Sequence, residues 1–123
     1  MNHLLLRRLE VTGESMVPAL LPGDRVLVVG GLGPILRPPI RVGAVVALID
    51  PQAPDRVIIK RIAGLDADGV VVRGDNDDAS TDSRHYGPVS PEALRGVVVY
   101  RYHPEDRKGW FELGTGPPPG TRS

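Results

Sequence analysis

Three segments carry residues able to do bond-making chemistry. The first is "VTGESMVPALLPGDRVLV" at 11–28, where Ser15 stands between an acid and a methionine. Gly13 lets the backbone approach a partner closely, and Pro18 and Pro22 hold the segment after Ser15 extended. A rigid loop of this kind can present a hydroxyl. It can equally use serine as an ordinary turn residue, and the segment alone leaves both readings open.

Lys60, in "DRVIIKRIAG" at 55–64, bears on that choice. If the run is a strand, alternation puts Arg56, Ile58, Lys60 and Ile62 on one face. The ammonium then emerges between two isoleucines, where desolvation disfavours the charged form and lowers the pKa. A neutral amine near pH 7 can take the proton of a serine hydroxyl, whereas arginine stays protonated. Of 15 basic residues only Lys60 and Lys108 are lysine, so the choice of lysine here is consistent with that need. The plain alternative is a lysine that snorkels to solvent at a strand end.

The third segment is "RGDNDDASTDSRHYGPV" at 73–89. Its acids suggest calcium, but an EF-hand loop opening at Asp75 needs Asp or Asn at 79, Gly at 80 and Glu at 86. Ala79, Ser80 and Tyr86 stand there instead. The loop is better read as folding on itself through Asp and Asn side chains bonded to backbone amides. Asp82 and Arg84 could pair and pin it, and Ser80 could then reach the Lys60 amine and orient it, as a third group orients the base of a triad.

The elements that must hold these residues are β-like. Runs rich in Val, Ile and Leu recur at 24–29, 43–49, 55–64, 69–74 and 95–102, each bounded by turn residues. With 15 Gly and 13 Pro spread through 123 residues, long helices are not expected. The pattern predicts a mainly β domain, sandwich- or barrel-like, with an aliphatic core. "VSPEALRG" at 89–96 is the one helical signal, a turn capped by Ser90 and opening on Pro91. "GWFEL" is expected to cover an edge of the core. One domain over 1–111 is expected, with a disordered tail at 112–123.

Composition narrows the function. The formal net charge is zero, which does not favour nucleic acid or an acidic membrane surface as partner. Without cysteine there are no disulfides, thiolate metal sites or cysteine nucleophile. His3, His85 and His103 show no ligand spacing, so neither metal nor cofactor is expected. No run approaches the roughly 20 apolar residues that span a bilayer. "MNHLLLRRLEV" is too short in its apolar part for a signal peptide, so a cytoplasmic protein with no membrane anchor is expected.

Taken together, the three segments resemble the boxes of the signal peptidase I family of serine–lysine proteases. "GESMVPALLPGD" is similar to the nucleophile box, "DRVIIKRIAGL" to the box of the general-base lysine, and "GDNDDASTDSRHYGPV" to the closing box. The resemblance implies an all-β fold of two antiparallel sheets, Ser15 as nucleophile, Lys60 as base and Ser80 as its orienting residue. Asp82 and Arg84 would brace the site, with Gly13 in support. The Ser15 backbone amide would bind the oxyanion, and Met16 would lie beside the substrate groove. Some members carry a serine hydroxyl two residues before the nucleophile; Gly13 occupies that position here, so no such contribution is expected.

Ala19 replaces the usual threonine of the first box, and "DADG" replaces the common proline–glycine–aspartate after the second. The short run to the third box leaves no room for a large extra domain. Size and composition are closest to the small branch that matures nickel-type superoxide dismutase. This implies a monomeric endopeptidase whose partner is a precursor protein carrying an N-terminal propeptide, with nickel belonging to the substrate. The alternatives are a general signal peptidase-like enzyme docking at a membrane, a self-cleaving repressor-type domain, and a non-catalytic β-module.

Overall fold

The computed structural model describes residues 4–31 and 41–114. Its strands are β1 (Leu4–Glu10), β2 (Arg25–Gly31), β3 (Val45–Asp50), β4 (Ala53–Asp66), β5 (Gly69–Arg73), β6 (Leu94–His103) and β7 (Gly109–Trp110). All pairs are antiparallel, in the order β1-β2-β6-β3-β4-β5, with β7 on β6. The mainly β, antiparallel expectation is what the chain adopts. The two sheets expected are instead joined by continuous pairing into one seven-stranded sheet.

Alternation along the central strands explains how one sheet makes two cores. Val45 and Ala47 of β3 join Val11, Met16, Leu20, Val26, Val28 and Val98 on one side. Val46 and Leu48 join Ile62, Val70, Val72, Val89 and Val97 on the other. Burial of both faces is why "VVALI" reads as an unbroken apolar run rather than an alternating one. Ile58 and Ile62 of β4 pack with the second core and Ile59 with the first, so Lys60 falls on the second-core face.

The remaining pieces are short. The helix α1 (Ser83–Tyr86) is a single turn capped by Asp82, whose side chain accepts from the Arg84 amide. A 3-10 turn at Pro91–Ala93 opens behind Ser90, which accepts from the Glu92 amide as expected. The segment after Ser15 departs from expectation. It is not extended but winds through turns, with Val17 N–H donating to Glu14 O and Leu20 N–H to Met16 O. Strand β1 has no counterpart among the branched runs of the sequence, and pairs with β2 from Leu4↔Gly31 to Glu10↔Arg25.

"GWFEL" divides. Phe111 packs on the first core, while Trp110 does not cover it: it is 80% exposed and tilts against Tyr100. Of the expected tail, 112–114 lack regular structure and Gly114 lies against Arg41 and Val42. Positions 115–123 and His3 lie outside the described residues. Among the described residues, no helix is long and apolar enough to cross a membrane.

Candidate active site

Lys60 sits near the middle of β4, opposite Val46 of β3, and is 5% exposed. Flanked by Ile58 and Ile62, its amine has little water around it. Burial pushes the Lys60 pKa below its ordinary value, against the opposing pull of Asp82 and Asp50; Arg56 and Arg84 add to the lowering. Nζ donates to Ser80 Oγ at 3.1 Å. Ser80 Oγ in turn donates to Asp82 Oδ2 at 2.8 Å.

Asp82 is fully buried, and each of its oxygens is occupied. Oδ1 accepts from the Arg84 amide at 3.1 Å and Arg84 Nε at 2.9 Å. Oδ2 accepts from Arg84 Nη2 at 3.0 Å, from the Gly74 amide at 2.9 Å and from Ser80. Burial alone would raise this carboxyl. The bonds from Arg84, Gly74 and Ser80 outweigh it and hold Asp82 far below the usual carboxylate range. A fixed anion thus orients the Ser80 hydroxyl, leaving its oxygen lone pair for the lysine amine.

Ser15 is half-buried and shares with Lys60 a cleft of about 270 Å³, also lined by Gly13, Met16, Asp50 and Arg56. Its carbonyl accepts from the Asn76 amide at 2.8 Å, and Asn76 Nδ2 donates to the Glu14 carbonyl at 3.1 Å. Among the described residues the Ser15 N–H donates to no partner.

One supporting residue behaves differently from expectation. Gly13 is not there for close approach, since a Cβ would meet nothing within 4 Å. It is there for its backbone, at φ +76°. Met16 borders the cleft but is 2% exposed, serving chiefly as a piece of the first core.

Several residues that hold the site carry no signal in the sequence. Gly74 lies where Ser80, Asp82 and the Ser15 carbonyl converge. A Cβ there would stand 2.5 Å from Ser80 Cβ and 2.6 Å from Ser15 O. Arg61, next to Lys60, grips Asp75 with two bonds of 2.8 Å and reaches the Gly43 carbonyl at 2.7 Å. The third segment is therefore tied to β4 through Arg61–Asp75 and to the Ser15 loop through Asn76. At the far end of that loop, buried Asp24 accepts from Leu21 N and from Arg107, which anchors the turn.

The β scaffold thus places a half-buried serine, a desolvated lysine and a carboxylate-held hydroxyl beside one cleft. A family model for signal peptidase, peptidase S26, matches residues 1–75, and the chain belongs to that family. The match includes Ser15 and Lys60 and stops short of Ser80.

The chain is similar to mitochondrial ATP-independent inner membrane protease subunit 1a of Arabidopsis thaliana, at 31% identity over 137 residues, 88% of this chain and 77% of the relative. Subunit 1b of the same plant is 29% identical, over 75% of this chain and 67% of its own length. Mitochondrial inner membrane protease subunit 2 of Mus musculus is 30% identical, over 89% and 73%. These names correct the cytoplasmic location expected from the lack of a spanning run and of a signal peptide: the relatives are named as proteases of a mitochondrial inner membrane.

Proposed function

We propose that the chain is an endopeptidase in which Ser15 is the nucleophile and Lys60 the general base. The observation that carries this reading is the Lys60–Ser80–Asp82 chain of bonds beside the cleft that Ser15 lines. Neutral Lys60 takes the Ser15 Oγ proton as Oγ attacks the scissile carbonyl. The oxyanion forms against the Ser15 N–H. Collapse breaks the C–N bond, and the leaving amine takes the proton back from the Lys60 ammonium. The amine again becomes neutral, removes a proton from water, and the resulting attack splits the Ser15 ester and returns the proton to Oγ. Every proton is passed and recovered, so no cofactor enters.

The substrate class is a precursor protein with an N-terminal extension. The specific candidate is a nickel-type superoxide dismutase precursor, for which the support is the short run from Lys60 to Ser80. The relatives' names support work at a membrane face, and their designation as subunits makes assembly with another chain a second question beside the monomer expected here.

The test is to incubate the protein and its Ser15→Ala and Lys60→Arg variants with that precursor and with a signal-peptide substrate, reading product N-termini by mass spectrometry. One Ser15-dependent cut in either substrate supports the peptidase. A cut in the dismutase precursor alone supports the narrower assignment. Robust cleavage by either variant overturns the dyad.

A further inference from the structure

The cleft carries one charge that nothing balances. Among the described residues, the charged ones lining it are Glu10, Glu14, Asp50, Arg56 and Lys60. Glu10 faces Arg25, whose Nε stands 3.5 Å from Oε1, and Asp50 has Arg56 Nε 4.0 Å away. Lys60 donates to Ser80, which is bonded in turn to Asp82. Glu14 differs from all of these. It is exposed, and among the described residues its carboxylate has neither an ion pair nor a hydrogen bond.

The backbone of Glu14, by contrast, is held. Its carbonyl accepts from Asn76 Nδ2 at 3.1 Å and from the Val17 amide at 3.2 Å. The carboxylate therefore stands on the frame that positions Ser15, one residue away. An extended peptide advances about 3.3 Å per residue, so a long side chain within about three residues of the scissile bond comes within its reach. A solvated surface glutamate is ordinary. A glutamate that lines a cleft loses part of its water when a peptide enters. An uncharged peptide leaves that loss uncompensated, whereas an ammonium or guanidinium repays it.

We propose that Glu14 makes the cleft select substrates with a lysine or arginine close to the cut. The inference deepens the endopeptidase reading and rests on it for the cut itself. Glu14 is a specificity residue and takes no part in bond making. Because its carboxylate is exposed, the preference is modest and weakens with salt.

The test takes the signal-peptide substrate and places Lys, Gln or Glu in turn at each position within about three residues of its cut. At the most responsive position kcat/KM is expected to favour Lys over Gln by roughly two- to fivefold, with Glu below Gln. Raising the salt should shrink the spread. Glu14→Gln is expected to lose the preference and Glu14→Lys to invert it. Both variants keep the carbonyl that Asn76 holds. The same peptides are titrated by fluorescence anisotropy against Ser15→Ala, which tests binding without cutting. Cleavage with no preference for Lys, or with a preference that survives Glu14→Gln, overturns the selection and leaves the peptidase standing. An absence of cleavage overturns the peptidase. The selection then stands on a Lys preference in binding to Ser15→Ala that adding Glu14→Gln removes, and falls without it.

Discussion

Gly74 and Ser80 are in backbone-to-side-chain contact, so close that a methyl on Gly74 would overlap the Ser80 hydroxymethyl. The hydroxyl that accepts from Lys60 therefore depends on a missing side chain six residues earlier. Gly74→Ala is expected to displace Ser80, with a stability loss of about 1–3 kcal/mol from overpacking. In steady-state kinetics kcat should fall while KM changes little. Equal effects on both would mean the cleft itself had collapsed.

Removing the reacting groups should be more damaging than removing the orienting one. Ser15→Ala is expected to reduce cleavage to background. Ser80→Ala should cost less than the roughly 10²–10⁴-fold that a positioned general base supplies. Single-turnover rates of the two variants on one peptide make the comparison. A Ser80→Ala loss equal to that of Ser15→Ala would make Ser80 a reacting group.

The pH dependence of kcat/KM should show a rising limb whose midpoint lies below the ordinary lysine value of 10.5. Stability carries the same signature with a definite sign. Between the lowered folded value and 10.5 the unfolded chain binds more protons, so the Lys60 contribution rises with pH across that window. Lys60→Met should therefore be inactive yet more heat-resistant than the parent, with the gap widest at low pH and narrowing towards 10.5. Melting curves across pH check it; a Lys60→Met protein that melts lower at neutral pH would refute the desolvated amine.

Asp82 has the opposite sense. Its folded pKa lies below the ordinary 3.8, so its stabilisation is complete above that value and is lost only as pH falls through the lower folded one. Asp82→Ala strips the α1 cap and leaves the Gly74 amide and Ser80 hydroxyl without their acceptor, at a cost on the order of 3–5 kcal/mol. Urea unfolding at pH 7 measures it. A change within about 0.5 kcal/mol would show that this carboxylate holds nothing together.

Much of this is legible in the chain, and for a physical reason. Strands β2 to β6 are readable because branched side chains bounded by turn residues form a local pattern. The meeting of Lys60 with Ser80, and of Ser80 with Asp82, is readable because a buried amine and a buried carboxylate each need a polar partner. Strand β1 escapes because Leu4–Glu10 mixes leucine with arginine and glutamate, without the branched residues that mark its neighbours. Gly74 and Asn76 act through backbone proximity to distant residues, and the Arg61–Asp75 grip spans two elements, so no local pattern announces them. The cytoplasmic expectation fails for another reason: the apolar runs within a sequence report what its own segments can insert into, not where its family works.

The bond from the Asn76 amide to the Ser15 carbonyl mounts the serine and the loop carrying Ser80 on a common frame. A displacement of one relative to the other is therefore resisted at that bond. The same bond makes the Asn76 amide a resident reporter. Under the proposed mechanism, a group that esterifies Ser15 is expected to perturb that carbonyl, and the amide resonance of Asn76 then reports occupancy of the serine.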